Sequence, residues 1–531
     1  MHRAVEAEKE FDAAHGGCSA EEEYDTEKEH EEADFRTDDA VTSEHAEKRE
    51  GNSFWHFLRG REGGLGGSRL PVVFLLLAVC VLLVLGGRSI LRSVEMAGGS
   101  GTGGNKLAGA GMQTPGSAKK SLAELSPLQR KLGQAERLAA QYDYDGALQL
   151  LREDSALSSE PKVQEAVASY EEAKAALVPQ DISTVTHVFF HSLVVDAENA
   201  FDKEKWGKQA DGYNQVMTTI PEFRKMLEQF YADGFVLVRL HDLASMQKQP
   251  DGSMKMTPGK ILLPEGKKAM VMSQDDVCYY EYMTGAGFAD RMIVGEDGRP
   301  TSHYTDKNGQ EFVGEYDLVP ILDRFVEEHP DFSYRGAKAC LAFTGYNGIL
   351  GYRTDETYDP DSPLFDSSKT PNENIEADRE TARQVVKALR EDGYELASHS
   401  WGHRDLGNIS FERMKKDTDR WDKNVNQELL GGDCDIILYP FGADVGDWHP
   451  YSHDNERFQY LFDKGFRYFC NVDSTQHWVQ RGDDWLRQGR RNLDGDAMWQ
   501  DIANGKNRLS DLFPDVSAIF DKARPTPVPH G

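Results

Sequence analysis

The C-terminal two-thirds of this sequence predicts an α/β fold built on a parallel sheet or barrel. Three observations support it. Short aliphatic runs recur from residue 181 onward, helical patterns lie between many of them, and about 320 residues suits one barrel-sized domain. The candidate strands are 185–190 (VTHVFF), 235–240 (FVLVRL), 269–273 (AMVMS), 339–344 (ACLAFT), 395–398 (ELAS), 436–439 (IILY) and 468–472 (YFCNV). Residues 221–231 and 375–391 read as helices between them. The stretch 353–374, rich in Asp, Pro, Ser and Asn, reads as a long loop. Residues 181–515 are therefore expected to form the barrel, and 516–531, ending in ARPTPVPHG, a flexible tail.

The rest of the 531-residue chain is organised differently. Residues 1–50 hold 18 Asp and Glu against 6 Lys and Arg, and 1–69 reads as an acidic, disordered tail. Residues 70–87 are 18 consecutive uncharged residues, LPVVFLLLAVCVLLVLGG, just long enough for a transmembrane helix. Three basic residues flank them on each side within 20 positions (Arg59, Arg61 and Arg69; Arg88, Arg92 and Lys106), so charge counting does not orient the span. Residues 88–120 form a Gly-rich linker, of which 96–120 have a reach of roughly 25–30 Å. Residues 121–180 read as a helical hairpin spacer, somewhat like one tetratricopeptide-type pair, which alone cannot build a solenoid.

Composition excludes some functions. With 60 Lys and Arg against 90 Asp and Glu the formal net charge is −30, which argues against nucleic acid as partner. The six cysteines (18, 80, 278, 340, 434 and 470) form no CxxC pair, so neither a zinc ribbon nor a disulfide scaffold is expected.

In a βα barrel the working residues sit at the C-terminal ends of strands. Those ends offer Gln274-Asp275-Asp276, then His399-Ser400-Trp401-Gly402-His403, then Tyr439-Pro440-Phe441-Gly442. Two imidazoles four residues apart can converge with one carboxylate into a facial set for a divalent metal. A second carboxylate beside it can take a proton from water. Each element is common by itself; their combination at three strand ends is far more specific. His191 and Asp196, after the first strand, could line the cleft or serve structural hydrogen bonds. Trp401, Trp448, Trp478 and Trp485 could stack on sugars or pack in the core.

The order of these elements resembles the NodB-homology polysaccharide deacetylases, carbohydrate esterase family 4. Ser273 to Asp276 is similar to that family's Thr-Phe-Asp-Asp, His399 to His403 matches its His-Ser/Thr-x-x-His, and Tyr439 to Gly442 is similar to its third motif. The stretches 187–196 and 233–238 resemble its first two strands, so the likeness spans roughly 181–500. It implies a distorted (β/α) barrel of the polysaccharide deacetylase type. It also implies Asp276, His399 and His403 as metal ligands, usually for zinc and sometimes for cobalt or nickel, with Asp275 as catalytic base. Backbone N–H groups around Tyr439 and Phe441 would hold the oxyanion. His477 is the best-placed general acid by order, since no Leu-x-His motif stands out.

The substrate implied is an acetylated polysaccharide such as peptidoglycan, reached from a single-pass cell-membrane protein with its C-terminal domain extracellular. The sequence departs from the family at Gln274, Val277 and Leu438, the last replacing an Arg that braces the base. That loss could raise the pKa of Asp275 unless Arg490 or Arg491 substitutes from another strand end. A degenerate glycan-binding barrel, or a related metal-dependent hydrolase cleaving another bond, are the alternatives.

Overall fold

A computed structural model of the chain describes residues 126–530 apart from 154, 155 and 474–476. The expected acidic tail, the membrane span at 70–87 and the Gly-rich linker lie outside the described residues. Among the described residues no helix is long and apolar enough to cross a membrane.

Three helices come first: α1 (Pro127–Ala140), α2 (Tyr144–Glu153) and α3 (Pro161–Ala175). Ser126 opens α1 with a capping box to Gln129, and Pro127 sits in the first turn, where its missing N–H costs nothing. Ala135, Ala147, Leu151 and Val163 form their small core. The unit is tied to the following domain by Tyr142, whose hydroxyl donates to Asp331 O at 2.8 Å, and by Arg335 N donating to Gln141 O at 2.8 Å.

The rest is a mixed α/β domain around a closed barrel. Among its strands and helices are, in chain order, β1 (Thr186–Phe190), α4 (Ile220–Ala232), β2 (Phe235–Leu237), β3 (Lys268–Gln274), α5 (Leu318–Glu328), β4 (Cys340–Phe343), α6 (Ile375–Glu391), β5 (Glu395–Ser398), α7 (Phe411–Trp421), β6 (Ile436–Leu438), α8 (Glu456–Asp463), β7 (Tyr468–Val472), β8 (Leu486–Asn492) and α9 (Gly495–Asn504). Seven parallel strands close in the order β3-β4-β5-β6-β7-β8-β1 and back to β3. The distortion lies at β3. The short β2 pairs with its first residues, Lys268 to Met270, and β4 with its last, Ser273 and Gln274. Parallel strands buried on both faces need aliphatic side chains throughout, which is why β1, β4 and β6 are entirely buried.

Two features differ from expectation. The strand β8, with sequence LRQGRRN, carries three arginines and has no apolar run to mark it, yet it closes the barrel. Arg487, Arg490 and Arg491 are all buried, and each guanidinium meets a carboxylate: Asp444 at 2.6 Å, Asp275 at 2.6 Å and Asp511 at 2.7 Å. The tail from 516, expected to be flexible, is docked instead. Arg524 is buried against Glu222 at 2.6 Å and donates to Met217 O at 2.8 Å, while Asn214 Nδ2 donates to Pro525 O at 2.9 Å. The physical reason is Glu222, a buried carboxylate that needs a cation. Cys278, Cys340, Cys434 and Cys470 are buried and unbridged.

At the opposite end of the barrel from the strand C-termini, His241 lies between Glu395 (Nδ1–Oε1 2.5 Å) and Asp435 (Nε2–Oδ1 3.1 Å), at the starts of β5 and β6. Burial pulls its pKa down, but the hydrogen bonds to Asp435 and Glu395 outweigh this and raise it to about 10. The charged clamp thus contributes stability that is complete below pH 6.5, the ordinary histidine value, and is lost as pH rises toward about 10. His241→Gln is expected to flatten the alkaline decline of unfolding midpoints across that window, measured by denaturant titration at a series of pH values.

Candidate active site

Three strand ends meet at the barrel mouth. At the end of β3 the sheet continues one residue further, with Asp275 N donating to Phe190 O of β1 at 2.8 Å. Asp276 then turns with φ 58°, a left-handed conformation that a non-glycine residue adopts only when its surroundings hold it there. Here Val277 N donates to Ala342 O of β4 at 3.0 Å and Cys278 N to Asp276 O at 2.6 Å.

The loop after β5 uses the same device twice, with Ser400 at φ 57° and His403 at φ 51°. It is a tight loop, not a helical turn. Asp417 of α7 accepts from Trp401 N at 2.9 Å and Gly402 N at 2.8 Å and so fixes the middle of the loop. Trp401 itself is buried over Gly345, where a Cβ would lie 2.3 Å from the indole. The result brings the His399 and His403 rings to 4.9 Å between centroids.

One oxygen of Asp276 and one nitrogen from each of His399 and His403 all lie within 4.8 Å of one another. His399 Nδ1 donates to Leu438 O at 2.6 Å, which fixes the tautomer and leaves Nε2 as the lone-pair nitrogen. That Nε2 is buried, has no hydrogen-bond partner among the described residues, and stands 3.9 Å from carboxylate oxygens of both Asp275 and Asp276. A buried, unsatisfied imidazole nitrogen facing carboxylates is what a divalent cation would satisfy, so these residues fit the metal expected from the sequence. Burial works to raise Asp276, but His403, His399 and His191 together with the Tyr280 hydroxyl outweigh it and keep the group ionised.

Asp275 is the other half of the site. Its burial would raise its pKa, yet the Arg490 charge and then His399 pull it down to about 2. The guanidinium Nη1 donates to Asp275 Oδ1 at 2.6 Å. The rise expected from the loss of arginine at Leu438 therefore does not occur, because Arg490 arrives from β8, on the far side of β7 from β6.

The Tyr439 amide, expected to face an oxyanion, already donates to Cys470 O of β7 at 2.9 Å, and its phenol hydroxyl sits 3.0 Å from that of Tyr451. Strand pairing has consumed the N–H. Phe441, at φ 57°, places its ring edge-on to that of His403, 4.5 Å between centroids. His477 lies among Arg491 and Asp511, which shift its pKa, and burial and the Arg491 charge lower it. It is not brought against the aspartate pair by any contact among the described residues. Of the four tryptophans, Trp401 and Trp485 are buried and Trp448 is 76% exposed.

His191, unlike His477, interacts with the aspartate pair. It is the first residue beyond β1, the strand next to β3, and it is buried. Nδ1 lies 3.2 Å from Val216 O, and the ring's positive charge, when present, lowers Asp275, Asp276 and Asp494 together. Asp494, at the end of β8, is raised to about 7 by burial and by Asp496. Applying the strand-end rule to 185–190 is the signal that points to His191.

Residues 368–459 match the family model described as polysaccharide deacetylase. Over that stretch the chain is similar to polysaccharide deacetylases. Among solved structures, the Streptococcus pyogenes deacetylase PplD in complex with acetate is 15% identical, with a TM-score of 0.30 over 61% of this chain and 98% of that one. A Bacillus anthracis protein, BA0330, provisionally described as a polysaccharide deacetylase, is 10% identical, with a TM-score of 0.29 over 58% of this chain and 64% of that one. No curated protein matches the sequence.

The matched segment contains His399, His403 and the β6 end, while the aspartate pair and Arg490 lie outside it. The departure at Gln274 has a structural role: its Nε2 donates to Asp317 at 3.0 Å, and Asp317 also accepts from Leu193 N at 3.0 Å and from the Tyr279 hydroxyl at 2.7 Å. One carboxylate thereby ties the ends of β1 and β3 together.

Removing Arg490 strands a buried carboxylate, and breaking such a pair costs about 3–5 kcal/mol. Arg490→Gln is therefore expected to lower unfolding free energy by about that amount in denaturant melts. A depressed carboxyl contributes stability that is present above pH 3.8 and lost as pH falls toward about 2. The variant's acid-unfolding midpoint is accordingly expected to move upward.

Proposed function

We propose that the chain is a metal-dependent deacetylase removing acetyl groups from N-acetylated sugars of a cell-wall or extracellular polysaccharide. The observation that supports this best is the convergence of Asp276, His399 and His403 beside a separately charged Asp275 at one barrel mouth. A single carboxylate cannot both bind a cation and act as base; here the two aspartates have different partners, so the two tasks can be divided. A divalent cation held by Asp276, His399 and His403 would polarise the acetyl carbonyl and acidify water.

The chain's own residues supply the proton movements. Asp275, ionised and held by Arg490, accepts a proton from the attacking water. The resulting tetrahedral adduct breaks its C–N bond. His191 gives a proton to the departing nitrogen, so that acetate and a free amine leave. Arg490 takes the place of the arginine missing at Leu438, which weighs for an enzyme over a non-catalytic glycan-binding barrel. The 18-residue uncharged stretch at 70–87 would hold the domain at the cell membrane, with the barrel facing extracellular polymer such as peptidoglycan.

Acetate release from N-acetylglucosamine oligomers and from peptidoglycan, with zinc or cobalt and with chelator, tests the reading. Chelator-sensitive acetate is expected, and its absence on every substrate would remove the reading. Asp275→Asn is expected to cut turnover by about 10²–10⁴-fold while metal content stays at the wild-type level; unchanged turnover would reassign the base. His191→Ala is expected to slow amide deacetylation by a similar factor, about 10²–10⁴-fold, and to spare 4-nitrophenyl acetate, whose phenolate leaves without a proton. Equal losses on both substrates would give His191 a structural role.

A further inference from the structure

We propose that Tyr280 is a positioning residue for Asp276 that sets how tightly Asp276, His399 and His403 hold a divalent cation; this rests on the metal-binding part of the reading above. The Tyr280 hydroxyl donates to Asp276 Oδ1 at 2.5 Å. The other oxygen, Oδ2, is 3.8 Å from His403 Nε2, while Oδ1 itself also stands 3.9 Å from His399 Nε2. A phenol on one carboxylate oxygen holds the carboxylate plane and favours binding through the other.

The phenol is itself held in place. Its ring is stacked between Tyr282, at 5.3 Å and 14° between planes, and Tyr346, at 5.4 Å and 27°. Its oxygen also lies 3.1 Å from Thr344 Oγ1, which is 3.0 Å from Cys278 Sγ. Asp276 needs such a brace, because it sits at φ 58° on a turn whose next residue is Val277. The neighbouring Tyr279, at φ 50°, donates to Asp317 Oδ2 at 2.7 Å, with no bond to the Asp276 carboxylate among the described residues. The two adjacent tyrosines therefore separate support of the turn from orientation of the ligand. Outer partners of metal ligands change affinity by about 10- to 100-fold when removed.

The test is the affinity of the full chain for Co²⁺, measured by competition with a chromophoric chelator. Tyr280→Phe keeps the stacked ring and is expected to weaken binding about 10- to 100-fold, with a shifted Co²⁺ absorption band. Tyr279→Phe is expected to lower stability and leave Co²⁺ affinity near wild type. If Tyr280→Phe does not fold, 4-aminophenylalanine at 280, which can donate, is compared with 4-methylphenylalanine, which cannot. Only the former should retain affinity. Wild-type affinity in Tyr280→Phe, or an equal loss in Tyr279→Phe, overturns the proposal. A wild-type chain that binds no Co²⁺ overturns the metal reading together with it. A chain that binds Co²⁺ but releases no acetate, and loses affinity on Tyr280→Phe, removes the catalytic reading and upholds this one.

Discussion

The ion pair between Arg490 and Asp275 joins the closure of the barrel to its chemistry. Both side chains are buried, so their 2.6 Å contact acts in a medium far less screening than water. Either charge alone would be costly there, which makes the pair conditional on both strands being in register. Asp275 receives Arg490 of β8 in the interior, and Arg490 in turn helps to keep Asp275 ionised. The contact that finishes the sheet also keeps a carboxylate ionised at the barrel mouth.

The polar interior around this pair limits positive charge to the one guanidinium. His187 sits between Gln488 Oε1 at 3.1 Å and Ser273 Oγ at 2.9 Å. Burial first, and then Arg490, lower its pKa to about 3, so it stays neutral at physiological pH. Arg490 Nη1 reaches the same Ser273 Oγ at 3.4 Å and packs 4.4 Å from the centre of the Phe189 ring. Histidine, glutamine and serine thus line the barrel's axis as neutral hydrogen-bonding groups, and the ionised carboxylates gather at the mouth.

Above that interior, the site depends on turns that glycine would make easily and this chain makes without it. Asp276, Ser400, His403 and Phe441 all have left-handed backbones, and all lie in loops at the mouth. Such conformations persist where the surroundings over-determine them. Asp417 does this for the histidine loop through two backbone N–H groups, and the tyrosine pair does it for the aspartate loop. Two of these turns carry Asp276 and His403, which converge with His399 at the mouth.

Much of this was legible in the sequence. The aliphatic runs marking β1, β3, β4, β5, β6 and β7 mark them because strands buried on both faces must be apolar, and local composition reports that directly. The strand-end rule then led to Asp275, Asp276, His399 and His403 with no knowledge of contacts. β8 was illegible for the opposite reason: a buried arginine is stable only through its carboxylate, and Arg490 finds its partner 215 residues away. The same holds for Arg524, whose partner Glu222 is 302 residues distant and turns an apparently loose tail into a docked one. The Tyr439 amide was not legible because an N–H is available or spent according to which strand lies beside it, and order along the chain does not say which groups surround His477. The sequence by itself determined the apolar strands and the chemistry of their ends, since both depend on short-range pattern. Tertiary structure alone decided which charges pair, because pairing is a property of distance in space and the energy of a buried charge depends almost wholly on it.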